Sequence, residues 1–76
     1  SVVGYGVETN GETEHDATRL KVLPEGTSFD WAYRGDRLAR PLLPTFGRHN
    51  VANALSALAV THTLGVPPEE AAEALA

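Results

Sequence analysis

Seventy-six residues with a net charge of −4 and no cysteine make at most one small domain, close to the lower limit at which a core holds without staples. The missing cysteines exclude a disulfide framework and a zinc–thiolate site, and they fit a cytoplasmic protein. Six scattered basic residues (Arg19, Lys21, Arg34, Arg37, Arg40, Arg48) form no patch for nucleic acid, and no apolar run approaches the roughly 20 residues of a membrane span.

From the start, Ser1 to Glu8 mixes β-branched and aromatic residues with Gly4 and Gly6. That composition predicts a short strand whose glycines permit a bulge or a close backbone approach. Thr9 to Asp16 is polar and acidic and predicts a solvated loop. Its carboxylates and His15 include metal-ligand types, but no ligand spacing recurs elsewhere, so no metal ligands are assigned.

Thr18 to Leu23 alternates as a half-buried strand should. Pro24-Glu25-Gly26 is turn chemistry, with proline presetting φ and glycine in the left-handed position. Ser28 to Tyr33 then sets Phe29, Trp31 and Tyr33 on one face and Ser28, Asp30 and Ala32 on the other. An aromatic stripe of that kind either stacks bases or forms the core side of a sheet. The core reading is adopted, because too few other large side chains exist to build one. Arg34-Gly35-Asp36-Arg37 predicts a hairpin turn, and a strand follows from Leu38 to about Leu43, with Pro41 making it an edge or ending its pairing. Residues 1–46 therefore read as a three-stranded antiparallel meander, with Ser1 to Glu8 as a candidate fourth strand.

Residues 47–76 read as a helical hairpin. Val51, Ala54, Leu55, Leu58, Ala59 and His62 recur at helical spacing and form a stripe that can lie on a sheet. Gly65 stops this helix at the C′ position, and Pro68 with Glu69 and Glu70 starts another. The expected fold class is α+β, a small antiparallel sheet of three to four strands with a two-helix hairpin on one face. Its core is expected to include Phe29, Trp31, Tyr33, Leu38, Val51, Leu55 and Leu58. The lack of methionine, and a helical pattern that runs to Ala76 without a stop signal, predict a segment of a longer chain.

The chemistry concentrates where the first helix begins. Asn50 and Asn53 lie three apart, on one face of the first turn, next to His49. Each amide head is planar and carries an acceptor and a pair of donors. It is complementary to the N6 donor and N7 acceptor of adenine. Spacing alone leaves a second reading open, with Asn50 as an N-cap and Asn53 as a tolerated polar residue.

The stretch Gly47-Arg48-His49-Asn50-Val51-Ala52-Asn53-Ala54-Leu55-Ser56-Ala57, followed by Leu64-Gly65-Val66, resembles the G-R-H-N-x-x-N-A-x-A-A…L-G-[VI] signature of the Mur ligases. Val3-Gly4-Tyr5-Gly6 and the Phe29 to Leu43 hairpin resemble the family's approach to that motif, so the likeness covers nearly the whole chain. It implies the carboxyl-terminal part of a central ATPase domain, in an enzyme that uses ATP and Mg2+ to make amide bonds in peptidoglycan precursors. Asn50 and Asn53 then carry over as adenine-binding residues, and His49 as a neighbour in the nucleotide site. The implied partners are ATP, UDP-N-acetylmuramate and an amino acid. His49-Asn50 and the Tyr5-Gly6 strand look most like the L-alanine-adding branch, with a tripeptide-recycling ligase next and other ligases of the superfamily after it. A reading of another class is a non-catalytic interaction module using an edge strand.

Phosphoryl transfer also needs a phosphate-cradling loop with its lysine, and carboxylates for magnesium. No G-x-x-x-x-G-K-[ST] is present, and the one lysine, Lys21, falls in a predicted strand. By itself the segment is expected to be inactive.

Overall fold

The computed structural model describes residues 5–9 and 13–75, with only the backbone for Tyr5. In chain order it contains β1 (Tyr5–Val7), β2 (His15–Leu23), β3 (Gly26–Tyr33), β4 (Asp36–Ala39), β5 (Leu42–Leu43), α1 (Arg48–Thr63) and α2 (Pro68–Glu73). The strands form one sheet in the order β1-β2-β3-β4, with β5 also pairing β3. The expectations for Gly4, for Val3-Gly4 and for Asn10-Gly11-Glu12 lie outside the described residues.

The α+β class holds, and three details of the predicted meander change. First, the sheet is mixed: β1 runs parallel to β2, with Tyr5 opposite His15 and Val7 opposite Ala17. A two-residue hairpin would have forced antiparallel pairing, whereas β1 and β2 are separated by residues 8–14. Second, the predicted loop from Thr9 to Asp16 gives up its last two residues to β2, and both His15 and Asp16 are buried. Polar side chains hid this strand start, because their partners lie elsewhere in the chain. The Thr9 N–H donates to Asp16 Oδ1 at 3.0 Å, and the Trp31 indole N–H donates to His15 Nδ1 at 3.0 Å. Third, the predicted strand from Leu38 to Leu43 is split in two at Arg40-Pro41. Proline has no N–H for the ladder, yet its carbonyl still accepts from the Phe29 N–H at 3.3 Å.

β3 behaves as its alternation predicts. Phe29 and Trp31 are fully buried against the helices, and Tyr33 is half-buried at the rim. The opposite face is also covered, because Arg40 lies over it. The Arg40 guanidinium donates to Asp30 Oδ1 at 2.8 Å, to Ser28 Oγ at 3.2 Å and to the Arg19 carbonyl at 3.0 Å. Arg19 reaches Asp30 from a register shift in β2, where its own φ is +52°. Beyond that shift the alternation is lost, and Val22 is exposed.

Gly26 does not take the left-handed turn value. Its φ is +150°, and a Cβ there would stand 2.0 Å from the Leu43 carbonyl oxygen, so β5 requires a glycine beneath it. The Arg34-Gly35 turn is a two-residue hairpin loop with positive φ at both positions, as the primed turns that suit strand twist require.

α1 lays Val51, Ala54, Leu55, Leu58 and Ala59 on the sheet as predicted. Its end is a Schellman motif: the Gly65 N–H donates to the His62 carbonyl and the Val66 N–H to the Thr61 carbonyl, at 3.1 and 3.0 Å. Pro68 opens α2 with Glu69 and Glu70 in its first turn, and Ala71 packs into the core. Of the expected core, Phe29, Trp31, Val51, Leu55 and Leu58 are buried and Leu38 packs against them half-exposed.

Candidate functional site

The amino-terminal turn of α1 stands out from the rest of the helix because its side chains face water. Phe46, Gly47, Arg48, His49, Asn50 and Asn53 are all exposed, while Val51 between them is buried and holds the turn on the sheet. The helix start has no side-chain cap and no acidic residue in its first turn. Its free N–H groups and positive dipole end therefore face solvent uncompensated.

His49 and Asn53, four apart, meet on one face. The Asn53 NH2 donates to His49 Nε2 at 3.3 Å, which makes Nε2 the acceptor and places the ring proton on Nδ1. Asn50 turns the other way. Its NH2 donates to the Phe46 carbonyl at 2.7 Å and lies at the 3.5 Å limit from Thr45 Oγ1. This is not the N-cap that sequence left open, because Gly47 occupies that position. Asn50 instead ties the first turn to the loop before it.

Each asparagine thus spends donor capacity on the protein. Among the described residues no donor reaches either Oδ1. Each head keeps its Oδ1 as an acceptor; Asn53 also keeps a second N–H, and the second N–H of Asn50 has only the long 3.5 Å contact to Thr45 Oγ1 to give up, which suits a planar partner offering one donor and one acceptor side by side.

The surroundings are set by two ties that sequence reading missed. Thr27 Oγ1 donates to the Thr45 carbonyl at 2.9 Å and fixes the loop to β3. Arg48 reaches back 40 residues to pair with Glu8 and donates to the Val7 carbonyl at 3.3 Å. Neither tie leaves a local sequence signal, since both partners are remote.

No family model matches the chain. Its sequence is 41% identical over 71 residues to UDP-N-acetylmuramate–L-alanine ligase of Lactococcus lactis subsp. lactis, covering 93% of this chain and 16% of that protein. It is 43% identical over 60 residues to a UDP-N-acetylmuramoyl-L-alanyl-D-glutamate–2,6-diaminopimelate ligase of Chlamydia caviae, covering 79% and 12%. The fold superimposes on MurF from Acinetobacter baumannii with a TM-score of 0.75 and 30% identity, over 93% of this chain and 15% of that one.

The chain belongs to the Mur ligase family. It spans about a sixth of the length of the curated Mur ligases it matches. No helix among the described residues is long and apolar enough to cross a membrane.

No group of three His, Cys, Asp or Glu side chains among the described residues could hold a metal ion. Lys21 is exposed on β2 opposite Ser28, on a strand rather than in a phosphate-cradling loop. A shallow groove between Ala39–Leu42 and Glu69, Ala72 and Glu73 contains no residue of the asparagine motif. The arrangement at the start of α1 can hold a planar heterocycle by its edge, and its chemistry ends there.

Proposed function

We propose that these residues form the adenine-binding wall of an ATP-dependent ligase that joins L-alanine to UDP-N-acetylmuramate in peptidoglycan precursor synthesis. The observation that carries this reading is the pair of exposed asparagine heads on one helical turn, each with an open Oδ1 acceptor and an N–H that is unused in Asn53 and held only by a long 3.5 Å contact in Asn50. Adenine offers its N6–H and N7 side by side in the matching order. The likeness to the Lactococcus enzyme supports the choice of the L-alanine-adding branch. His49 orients Asn53 by accepting one of its hydrogens and so selects which N–H is left for the base.

In this reading the chain is the carboxyl-terminal part of the central ATPase domain of a cytoplasmic enzyme, with residues 1–46 as its sheet and 47–76 as its helical hairpin. The reaction transfers the terminal phosphoryl group of ATP to the substrate carboxylate, and the amine of the amino acid then displaces phosphate from the acyl phosphate. Positioning and charge neutralisation at the phosphates come from residues outside this chain. The role of these residues is to hold the base, and the segment alone is inactive.

The test is an ATP titration of the 76-residue chain followed by NMR, together with phosphate release by the protein of the full reading frame. The expected result is ATP-induced shifts at the side-chain amides of Asn50 and Asn53. With the full protein, phosphate release should need both UDP-N-acetylmuramate and L-alanine. Shifts confined to regions away from α1, or phosphate release indifferent to which amino acid is supplied, would overturn the adenine and the L-alanine assignments respectively.

A further inference from the structure

We propose that Arg48, acting through Glu8, is a positioning residue of the nucleotide site: it sets the roll of the first turn of α1 and hence the direction of both asparagine heads. This inference rests on the adenine reading above.

Glu8 is a fixed post. Its N–H donates to the Ala17 carbonyl at 2.8 Å, continuing the parallel ladder past the end of β1, and the next N–H, of Thr9, donates to the buried Asp16 at 3.0 Å. With the backbone held on both sides, Glu8 sits at a φ of +54°, in the left-handed region that few non-glycine residues adopt. That conformation aims its side chain back at α1, where Arg48 takes it.

The guanidinium fork then grips two acceptors, the Glu8 carboxylate and the Val7 carbonyl oxygen. A fork on two acceptors resists rotation as well as translation. Two positions on from Arg48, Asn50 lies about 200° around the helix, at 100° per residue. Any roll of the turn that moves Asn50 therefore pulls Arg48 off its post. Among the described residues the other remote polar tie of this region, Thr27 to the Thr45 carbonyl, holds the loop and leaves the roll of the turn free.

Both partners are largely exposed, at 62% and 49% of the side chain. Exposed pairs contribute little to folding, so the consequence falls on nucleotide selection rather than on stability.

The experiment uses the protein of the full reading frame with ATP and GTP as probes and compares Arg48→Lys, Glu8→Gln, the charge swap Glu8→Arg/Arg48→Glu, and Asn50→Ala. Lysine keeps the charge but cannot hold two acceptors. The expected result for Arg48→Lys and Glu8→Gln is a rise of about two- to fivefold in KM for ATP, the size an exposed pair can supply. The preference for ATP over GTP should fall with it, while kcat, KM for the sugar nucleotide and the melting temperature stay in place. The charge swap should recover part of the preference. If Asn50→Ala loses the preference while the Arg48 and Glu8 variants keep it, the positioning role is overturned and the adenine site stands. Asn50→Ala with unchanged selectivity overturns both. A fall in kcat and melting temperature together, with ATP and GTP affected equally, reduces the pair to a stabilising contact and also overturns the proposal.

Discussion

The two ends of α1 treat polar side chains in opposite ways. At the amino end, His49, Asn50 and Asn53 are exposed and keep hydrogen-bonding capacity in reserve. At the carboxyl end, His62 packs against a polar core made of His15, Trp31 and Tyr33. Its ring lies edge-on to His15 at 5.1 Å and tilted on Tyr33 at 4.5 Å. His15 is fully buried, and its Nδ1 accepts the Trp31 indole N–H, so the proton sits on Nε2, which has no hydrogen-bond partner among the described residues. One end of the helix leaves its polar groups in water, while the other packs them inside the fold. A histidine or asparagine therefore says little about function until its burial and partners are known.

The largest expected effect lies in the apolar middle of the helix, which both ends depend on. Leu55→Ala opens a cavity under a fully buried side chain and should cost about 2–5 kcal/mol, read by urea denaturation. A variant as stable as the parent would mean that α1 does not lie on the sheet as described.

Next comes the buried end. Burial, and then the neighbouring His62, push the His15 imidazole below its ordinary value, with Glu14 opposing them. The native state thus holds His15 neutral where the unfolded chain already takes up a proton. Stability is full above about pH 6.5, the unfolded value, and is lost as pH falls from there through the folded value. Melting curves between neutral and mildly acidic pH should show that loss. His15→Gln, which keeps an acceptor for Trp31, should flatten it. An equally steep decline in His15→Gln would transfer the effect to another group.

The exposed end should respond in the reverse sense. Asn50→Ala is expected to weaken ATP binding by about tenfold or more, as loss of a bidentate base contact does. The change in melting temperature should stay small, because Asn50 is exposed and bonds only to its own loop. A large stability loss with little change in binding would invert the contrast between the two ends.

The smallest effect belongs to the surface beside the buried cluster. Arg34 pairs with Glu14 at 3.0 Å and lies 5.3 Å over the Tyr33 ring, but its side chain is 69% exposed. Arg34→Ala should lower the melting temperature only slightly, and that loss should shrink in high salt. A cost that salt leaves unchanged would point to stacking on Tyr33 rather than to the ion pair.

Sequence by itself determined the parts governed by local chemistry. The period-two stripe of Phe29 and Trp31, the Arg34-Gly35 turn, the stop at Gly65 and the start at Pro68 all follow from neighbouring residues. So does the exposed asparagine turn, because a polar motif at a helix start needs no distant partner to form. Tertiary structure alone decided the rest. His15 and Asp16 belong in a strand because Trp31 bonds His15 Nδ1 and Thr9 bonds Asp16, and β1 pairs parallel to β2, a choice no local pattern carries. Arg48 reaches Glu8 across 40 residues. Burial of a polar side chain is favoured where a partner meets it, and that partner's place in the chain is set by topology rather than by adjacent sequence.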